Sequence, residues 1–270
     1  MTVGVIGTIA VSVFRESVRD KVLYNLVFFA VLMIAVSYLL SQLTAGQDMK
    51  VIKDLGLFAM SLFGLFIAVF IGIGLVSKEV EKRSIYALLA KPIRREEFVV
   101  GKYFGLVLTL FVNLAIMAVA YYGVLGGVAW IDGAWQRPHW EAPAVDPALL
   151  KAIAMIFLQL VIVVAVALFF STFSSPMLAA ALTVGLYVVG HFNADLKNFE
   201  RVVDSKPVVY VARALYYLLP NLAPLDVKSD VVHGVHVPAM YLLLNVGYTL
   251  VYVAIVVSAA TFIFMRRDFK

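Results

Sequence analysis

The sequence predicts an all-α integral membrane protein with six transmembrane helices. Of its 270 residues, 63% are hydrophobic and only 14% are charged, whereas a soluble domain is roughly half apolar and a quarter charged. The apolar residues also collect in long runs, and most of these reach the roughly 20 residues that a helix needs to cross a hydrocarbon core about 30 Å thick. We therefore expect one membrane domain covering residues 1–270.

Six apolar segments define the predicted spans. None of them contains Asp, Glu, Lys or Arg, and a charge at the bilayer centre costs about 2.5–3.5 kcal/mol on insertion scales. An ion-coupled secondary transporter usually keeps a carboxylate at this depth, so the pattern argues against that class. The segments are residues 22–43, 55–76, 103–131, 152–173, 176–192 and 238–265.

Residues 1–21 predict a helix that lies in the membrane interface and leads into the first span. Apolar residues recur at helical spacing, and the charged residues gather at the C-terminal end as Arg15, Glu16, Arg19 and Asp20. An amphipathic pattern of this kind is typical of interfacial helices. The alternative interpretation is a frayed terminus before the first span.

The charges between the spans predict the orientation. With a cytoplasmic N-terminus, the inner segments hold 13 Lys/Arg against 7 Asp/Glu, and the outer segments hold 9 against 10. This asymmetry follows the positive-inside rule and places both termini in the cytoplasm. Trp130, Trp135 and Trp140 lie at and just beyond the outer end of the third span, where an outer aromatic belt or a folded outer loop would use them. The net charge of +5 therefore reflects topology and does not predict a nucleic-acid partner.

Residues 193–237 predict a long external region. Within it, residues 207–223 are apolar enough to suggest a further span, but Arg213 lies at the middle, and a seventh crossing would move the basic C-terminus outside. We expect an outer-leaflet or re-entrant helix that ends at Pro220 and Pro224. Backbone that dips into a membrane without crossing it must be covered by protein.

Residues 77–102 form the most charged segment, with 7 basic and 4 acidic residues in 26 positions. Ile85, Leu88, Leu89 and Pro92 fall at i, i+3, i+4 and i+7 and form an apolar stripe. We expect a short amphipathic helix followed by a bend at Pro92. From the residues alone, this stripe either docks into a groove on a partner or packs on its own bundle and the lipid headgroups.

The run from Glu79 to Arg95, EVEKRSIYALLAKPIRR, followed by Gly101 and Lys102, resembles the signature loop of the type-2 ABC exporter permeases. The Arg15-Glu16 pair, the six spans and the stretch from Leu219 to Leu222, LPNL, are similar to that family too. The resemblance implies an N-terminal elbow helix carrying Arg15, Glu16 and Arg19, and a coupling helix that rests on an ATPase subunit. The implied coupling residues are Glu79, Glu81, Arg83, Ile85, Leu88, Leu89 and Pro92. Where many members have Gly-Thr, this chain has Arg83-Ser84.

The same resemblance implies a function and partners. The chain would be the permease subunit of an ABC exporter in a prokaryotic plasma membrane, paired with a second permease copy, with membrane lipids around it. Its only Gly-Lys pair precedes Tyr103 and lacks the earlier glycine of a phosphate loop. ATP and Mg²⁺ would therefore bind to the separate ABC ATPase subunits. The alternative is a non-transporting scaffold that helps to assemble a membrane complex, for example a metalloenzyme.

No catalytic, cofactor or metal site can be singled out from the sequence. There is no cysteine, which excludes thiolate chemistry. His233, His236, His139 and Asp230 could form an external metal site, but they are more simply loop residues, and His191 is more simply a helix cap than a gate. Among the uncharged polar residues of the spans, Asn113, Gln159 and Asn245 are expected to form interhelical hydrogen bonds.

Overall fold

The computed structural model describes residues 2–41, 48–81, 94–131, 145–192, 207, 209–211, 213, 216 and 219–266. Every regular element in this part of the chain is helical, as the sequence predicts. A 3₁₀ turn, Ala223–Leu225, precedes α7. The α-helices in chain order are α1 (Thr2–Val18), α2 (Lys21–Ser41), α3 (Asp48–Glu81), α4 (Arg95–Ile131), α5 (Leu149–Ser171), α6 (Pro176–His191), α7 (Lys228–Val232) and α8 (Ala239–Arg266).

Five helices are long and apolar enough to cross a membrane, where the sequence predicts six spans. The helix in the remaining predicted span, α6, is apolar but has only 16 residues, which corresponds to about 24 Å at 1.5 Å per residue. The predicted segment 176–192 is only one residue longer, so the sequence already indicates that this would be the shortest span. The candidate spans are Lys21–Leu40, Met49–Ile73, Arg95–Ile131, Leu149–Ser171 and Ala239–Arg266.

Helices α3 and α5 form the centre of the bundle. In each of them 67% of the most apolar stretch is buried, compared with 22% in α2 and 28% in α8. Helix α5 packs against α3, α4, α6 and α8, while α2 packs on α3 and α4 from outside. The broad apolar faces of α2 and α8 are therefore available to lipid or to other membrane protein surfaces.

Small residues allow α3 and α5 to approach closely. A methyl group at Gly72 would lie 2.6 Å from the Cβ atom of Ala167, which is too close for any real side chain. Within a membrane, where lipid is as apolar as Leu, such close packing is a main source of helix association. The pair Gly72 and Ala167 therefore sets the separation of the two central helices.

The end of α6 is covered by the chain that follows it. The backbone N–H of Leu222 donates to the carbonyl of Gly190 at 2.9 Å, and the Leu222 side chain is fully buried. The N–H of Asn221 donates to the Tyr248 hydroxyl at 2.8 Å, which ties the same stretch to α8. The described positions between 207 and 216 have helical backbone, and a bend follows at Leu219. Part of this stretch lies outside the described residues, so the outer-leaflet or re-entrant helix over 207–223 stays a prediction.

Candidate functional site

Helices α3 and α4 both extend towards the charged connection between them. Helix α3 has 34 residues and ends at Glu81, and α4 has 37 residues and begins at Arg95. At 1.5 Å per residue these helices are about 51 and 56 Å long, well beyond a hydrocarbon core of about 30 Å. Both predicted spans stop short of these ends, because hydropathy defines the apolar part of a helix and not the whole helix.

Two of the predicted coupling residues, Glu79 and Glu81, lie at this end of α3. The backbone of Glu79 and Glu81 continues α3 as a helix, so the charged start of the segment is an extension of the second predicted span. The other residues of the prediction lie outside the described part of the chain, and their roles stay predictions. They are Arg83, Ile85, Leu88, Leu89 and Pro92.

The first turns of α4 contact the last turns of α8. The Arg95 guanidinium donates to the main-chain carbonyl of Met265 at 3.0 Å, and the rings of Phe98 and Phe264 stack with centroids 5.9 Å apart. The ammonium of Lys102, which is 1% exposed, lies 4.5 Å from the centre of the Phe98 ring. A cation over an aromatic face gains most when both groups are desolvated. The Arg95 and Phe98 contacts therefore join the start of α4 to the end of α8, and Lys102 packs on Phe98 from within α4.

Helix α1 packs along the same part of α4. A methyl group at Gly105 would lie 2.7 Å from the carbonyl oxygen of Ala10 and from the Val13 side chain, and Gly101 approaches Ile9 and the carbonyl of Ile6 similarly. Because the two glycines have no side chain, α1 can pack directly against the α4 backbone. The predicted elbow residues Arg15, Glu16 and Arg19 have exposed side chains, while Val13 is buried. One face of α1 therefore packs against α4, and the charged side chains at its C-terminal end are exposed.

A cluster of polar side chains lies towards the other end of the bundle. The Lys228 ammonium is 3.4 Å from an Asp226 carboxylate oxygen and 3.3 Å from the Ser61 hydroxyl, which is itself 3.4 Å from the Tyr187 hydroxyl. Lys228 and Asp226 border a cavity of about 540 Å³, and its other lining residues are Asp54, Phe58, His191, Ala223 and Ser229. A cavity of this size lies in the range of small-molecule sites.

The sequence did not reveal how deep this lysine reaches. Residues 193–237 are predicted to be external, yet the Lys228 ammonium lies beside Ser61, midway along the candidate span Met49–Ile73. Lys53, which is 2% exposed, and Asp54 also fall inside that candidate span. The six apolar segments carry no charge, but the helices that contain them do. The sequence carried one sign of this extension. Met49, Ile52 and Leu57 alternate with charged residues, a pattern that predicts an amphipathic turn of helix before the apolar run.

The buried amides correct one expectation. Gln159 does meet a second helix, since its Nε2 atom is 2.6 Å from His191 Nε2. In contrast, Asn113 donates to the Thr109 carbonyl and Asn245 to the Tyr241 carbonyl, each four residues earlier in its own helix. These two amides therefore donate within their own helices. The prediction that Asn113 and Asn245 form interhelical hydrogen bonds was wrong.

Two histidines, His191 and His233, each contact a main-chain carbonyl four residues earlier. His191 Nδ1 lies 2.8 Å from the Tyr187 carbonyl in the last turn of α6, which agrees with the capping role that the sequence favours. His233 Nδ1 lies 2.8 Å from the Ser229 carbonyl. Within the described ranges, no group of three His, Asp or Glu side chains could hold a metal ion, and His139 lies outside those ranges.

Comparison with known families identifies the chain. The model of the family described as ABC-2 family transporter protein matches residues 7–269. The chain belongs to this family. No match to a curated protein was found. As an ABC-2 family member with five helices able to span a membrane, the chain is a multi-pass membrane protein and the membrane subunit of an ABC transporter. Such a subunit works with ABC ATPase subunits. The charged ends of α3 and α4 are therefore a candidate site for contact between this chain and an ATPase subunit.

Proposed function

We propose that this ABC-2 family permease is the membrane-spanning subunit of an ATP-driven exporter. The observation that carries the proposal is the length of α3 and α4, which continue as helices on both sides of the connection 82–94. A continuous helix transmits a displacement along its axis, whereas a flexible loop would absorb it. A partner that pushes on this connection would therefore move two transmembrane helices directly.

The contacts of α4 extend this movement to other helices. Its first turns hold α8 through Arg95 and Phe98 and hold α1 through Gly101 and Gly105. In this proposal, Ile85, Leu88 and Leu89 form the apolar contact with the ATPase, and Pro92 breaks the coupling helix. The polar contacts come from Glu79, Glu81 and Arg83.

The proposed topology has six crossings and cytoplasmic termini. Helix α6 is the short crossing, and the stretch that covers its end lies in the outer leaflet together with residues 207–223. Helix α1 is the elbow, and its charged end at Arg15, Glu16 and Arg19 faces the cytoplasmic headgroups. The segment 77–102 holds 7 of the 22 Lys and Arg residues, which supports placing it inside.

The working assembly in this proposal contains two permease copies and two ATPase subunits, and ATP and Mg²⁺ bind to the ATPases. The exposed apolar surfaces of the spans are compatible with an amphipathic or lipid-like substrate that moves outward. The polar cavity bordered by Lys228 and Asp226 lies towards the outer end of this path.

A pair of substitutions in the full-length chain tests the coupling helix. Tagged chain is purified in mild detergent from its own membranes, and the co-purified ATPase and ATP hydrolysis are quantified. We expect Leu88→Asp with Leu89→Asp to remove the ATPase from the complex. Val235→Asp, an exposed apolar position before α8, is the matched control and should retain it. Unchanged ATPase association in the double variant would show that the coupling assignment is wrong.

A reconstitution separates an exporter from a scaffold. The complex with its ATPase is placed in vesicles that contain fluorescent phospholipids, and their movement between leaflets is followed on addition of ATP. ATP-dependent outward movement supports export of lipid-like substrates. A stable complex that hydrolyses ATP at the same rate with every amphiphile tested would favour the non-transporting scaffold.

A further inference from the structure

A second cavity lies at the turn between α1 and α2, and residues of α3 line its far side. Its volume is about 440 Å³, within the range of about 300–1,000 Å³ that small-molecule sites occupy. One side is charged, and the opposite side is formed by apolar residues of α2 and α3. The apolar side consists of Leu23, Leu26, Ile67, Phe70 and Ile71.

The position of this cavity along the spans places it at a membrane boundary. Lys21 is the first residue of the candidate span Lys21–Leu40, and Ile71 lies two residues before the end of Met49–Ile73. Both therefore lie where a hydrocarbon core would give way to headgroups. Phe70, which is 55% exposed, continues the apolar wall outward from the bundle along α3.

The charged side carries both signs in equal number. Glu16 and Asp20 supply two carboxylates, and Arg19 and Lys21 supply two cations. Asp20 already accepts a hydrogen bond from the Val22 N–H at 3.0 Å, which fixes its carboxylate at the start of α2. A purely anionic ligand would meet two carboxylates here, and a purely cationic one would meet two cations. A zwitterion is complementary to both pairs.

A buried polar group at the same place has no partner of its own. Ser17 lines the cavity and is 6% exposed, and its hydroxyl has no hydrogen-bond partner among the described residues. A buried hydroxyl without a hydrogen bond is unfavourable, so such groups usually mark a missing partner. The hydroxyl oxygen is buried behind the cavity wall, so a ligand oxygen would reach it only after a rotation of the Ser17 side chain.

We propose that this cavity binds the headgroup of a zwitterionic phospholipid. Its phosphate lies between Arg19 and Lys21, its ammonium group faces Glu16 and Asp20, and an acyl chain leaves along Phe70. The cavity is too small for a whole lipid, so the chains must extend over the exposed face of α3. A lipid held here touches α1, α2 and α3 together and would link the elbow to the first two spans.

Lipid-dependent stability of the full-length chain tests this site. The chain is purified, stripped of lipid in detergent, and its thermal midpoint is measured with rising dioleoylphosphatidylethanolamine, dioleoylphosphatidylcholine or dioleoylphosphatidylglycerol. We expect a saturable rise with the two zwitterionic lipids at concentrations at least fivefold lower than with phosphatidylglycerol. Equal responses to all three lipids would overturn the proposal. Soluble glycerophosphoethanolamine should give no comparable rise, because it lacks the acyl chain, and an equal rise would also refute the lipid assignment.

Charge reversal locates the effect. Arg19→Glu with Lys21→Glu should weaken the zwitterionic response at least fivefold. Arg94→Glu with Arg266→Glu changes the net charge equally at the same end of the bundle and should leave the response unchanged. If charge reversal prevents folding, the neutral pair Arg19→Gln and Lys21→Gln is used instead, with the same expected loss. Retention of the full response in the folded variant would place the lipid at another site.

Discussion

The guanidinium of Arg95 donates a hydrogen bond to the main-chain carbonyl of Met265, 170 residues away in sequence. The contact joins the first turn of α4 to the last turn of α8, and the stacked rings of Phe98 and Phe264 reinforce it. Because the charged connection 82–94 leads directly into α4, a displacement at that connection must either move α8 or break this contact. The start of α4 is thus a junction of three helices, α1, α4 and α8.

Loss of the Arg95 donor should weaken the junction. We expect Arg95→Met to lower the free energy of unfolding by about 1 kcal/mol, the usual net value of an intramolecular hydrogen bond. Arg94→Met is the matched control, since Arg94 is exposed and its ion pair with Glu96 is 4.0 Å long. It should change stability by less than about 0.5 kcal/mol. Denaturant unfolding of the detergent-solubilised chain measures both. Equal effects of the two substitutions would contradict a role for the Met265 contact.

The close packing of α1 on α4 predicts opposite effects on stability for two glycine substitutions in α4. Gly105→Ala should destabilise the chain by more than about 1 kcal/mol, because the new methyl group meets the carbonyl oxygen of Ala10, which cannot move without shifting α1. Gly123→Ala has open space around it and should be neutral or stabilising by about 0.5–1 kcal/mol, as expected for Gly→Ala within a helix. Thermal midpoints of the two variants provide the comparison. A stabilising Gly105→Ala would show that α1 does not pack as described.

The ion pair in the outer polar cluster can be measured by a double-mutant cycle. Lys228→Met leaves the partly buried Asp226 carboxylate without its cation and should cost about 1–3 kcal/mol. Adding Asp226→Asn removes the unpaired charge, so the double variant should recover part of that loss. The coupling energy from unfolding of the four proteins is the test. Strictly additive effects would mean that the 3.4 Å contact contributes nothing to stability.

The absence of cysteine from the chain makes the proposed topology directly testable. Single cysteines at Ser84, Ser175 and Ser229 are labelled with a membrane-impermeant maleimide in intact cells and in opened membranes. If α6 crosses the membrane, Ser84→Cys and Ser175→Cys should react only after opening, and Ser229→Cys should react in intact cells. Labelling of the Ser175 and Ser229 positions from the same side would refute the sixth crossing.

The sequence by itself predicted that this is a helical membrane protein, that its charge is concentrated at 77–102, and that it is similar to ABC exporter permeases. These conclusions were accessible because they depend on local composition. An apolar run partitions into a membrane whichever helices surround it, and a charge between two spans stays near water. The resemblance rested on the run from Glu79 to Lys102, and the family match over residues 7–269 includes that run.

Only the tertiary structure decided which side chains meet. Lys102 and Lys228 look like ordinary loop lysines in the sequence. Lys102 is nevertheless buried over Phe98, and Lys228 contacts Ser61 in another helix. The last residue of α6, His191, contacts Gln159 of α5, a pairing that the sequence does not show. The physical reason is that such contacts depend on how helices distant in sequence pack together, whereas hydropathy and spacing report only on residues a few positions apart.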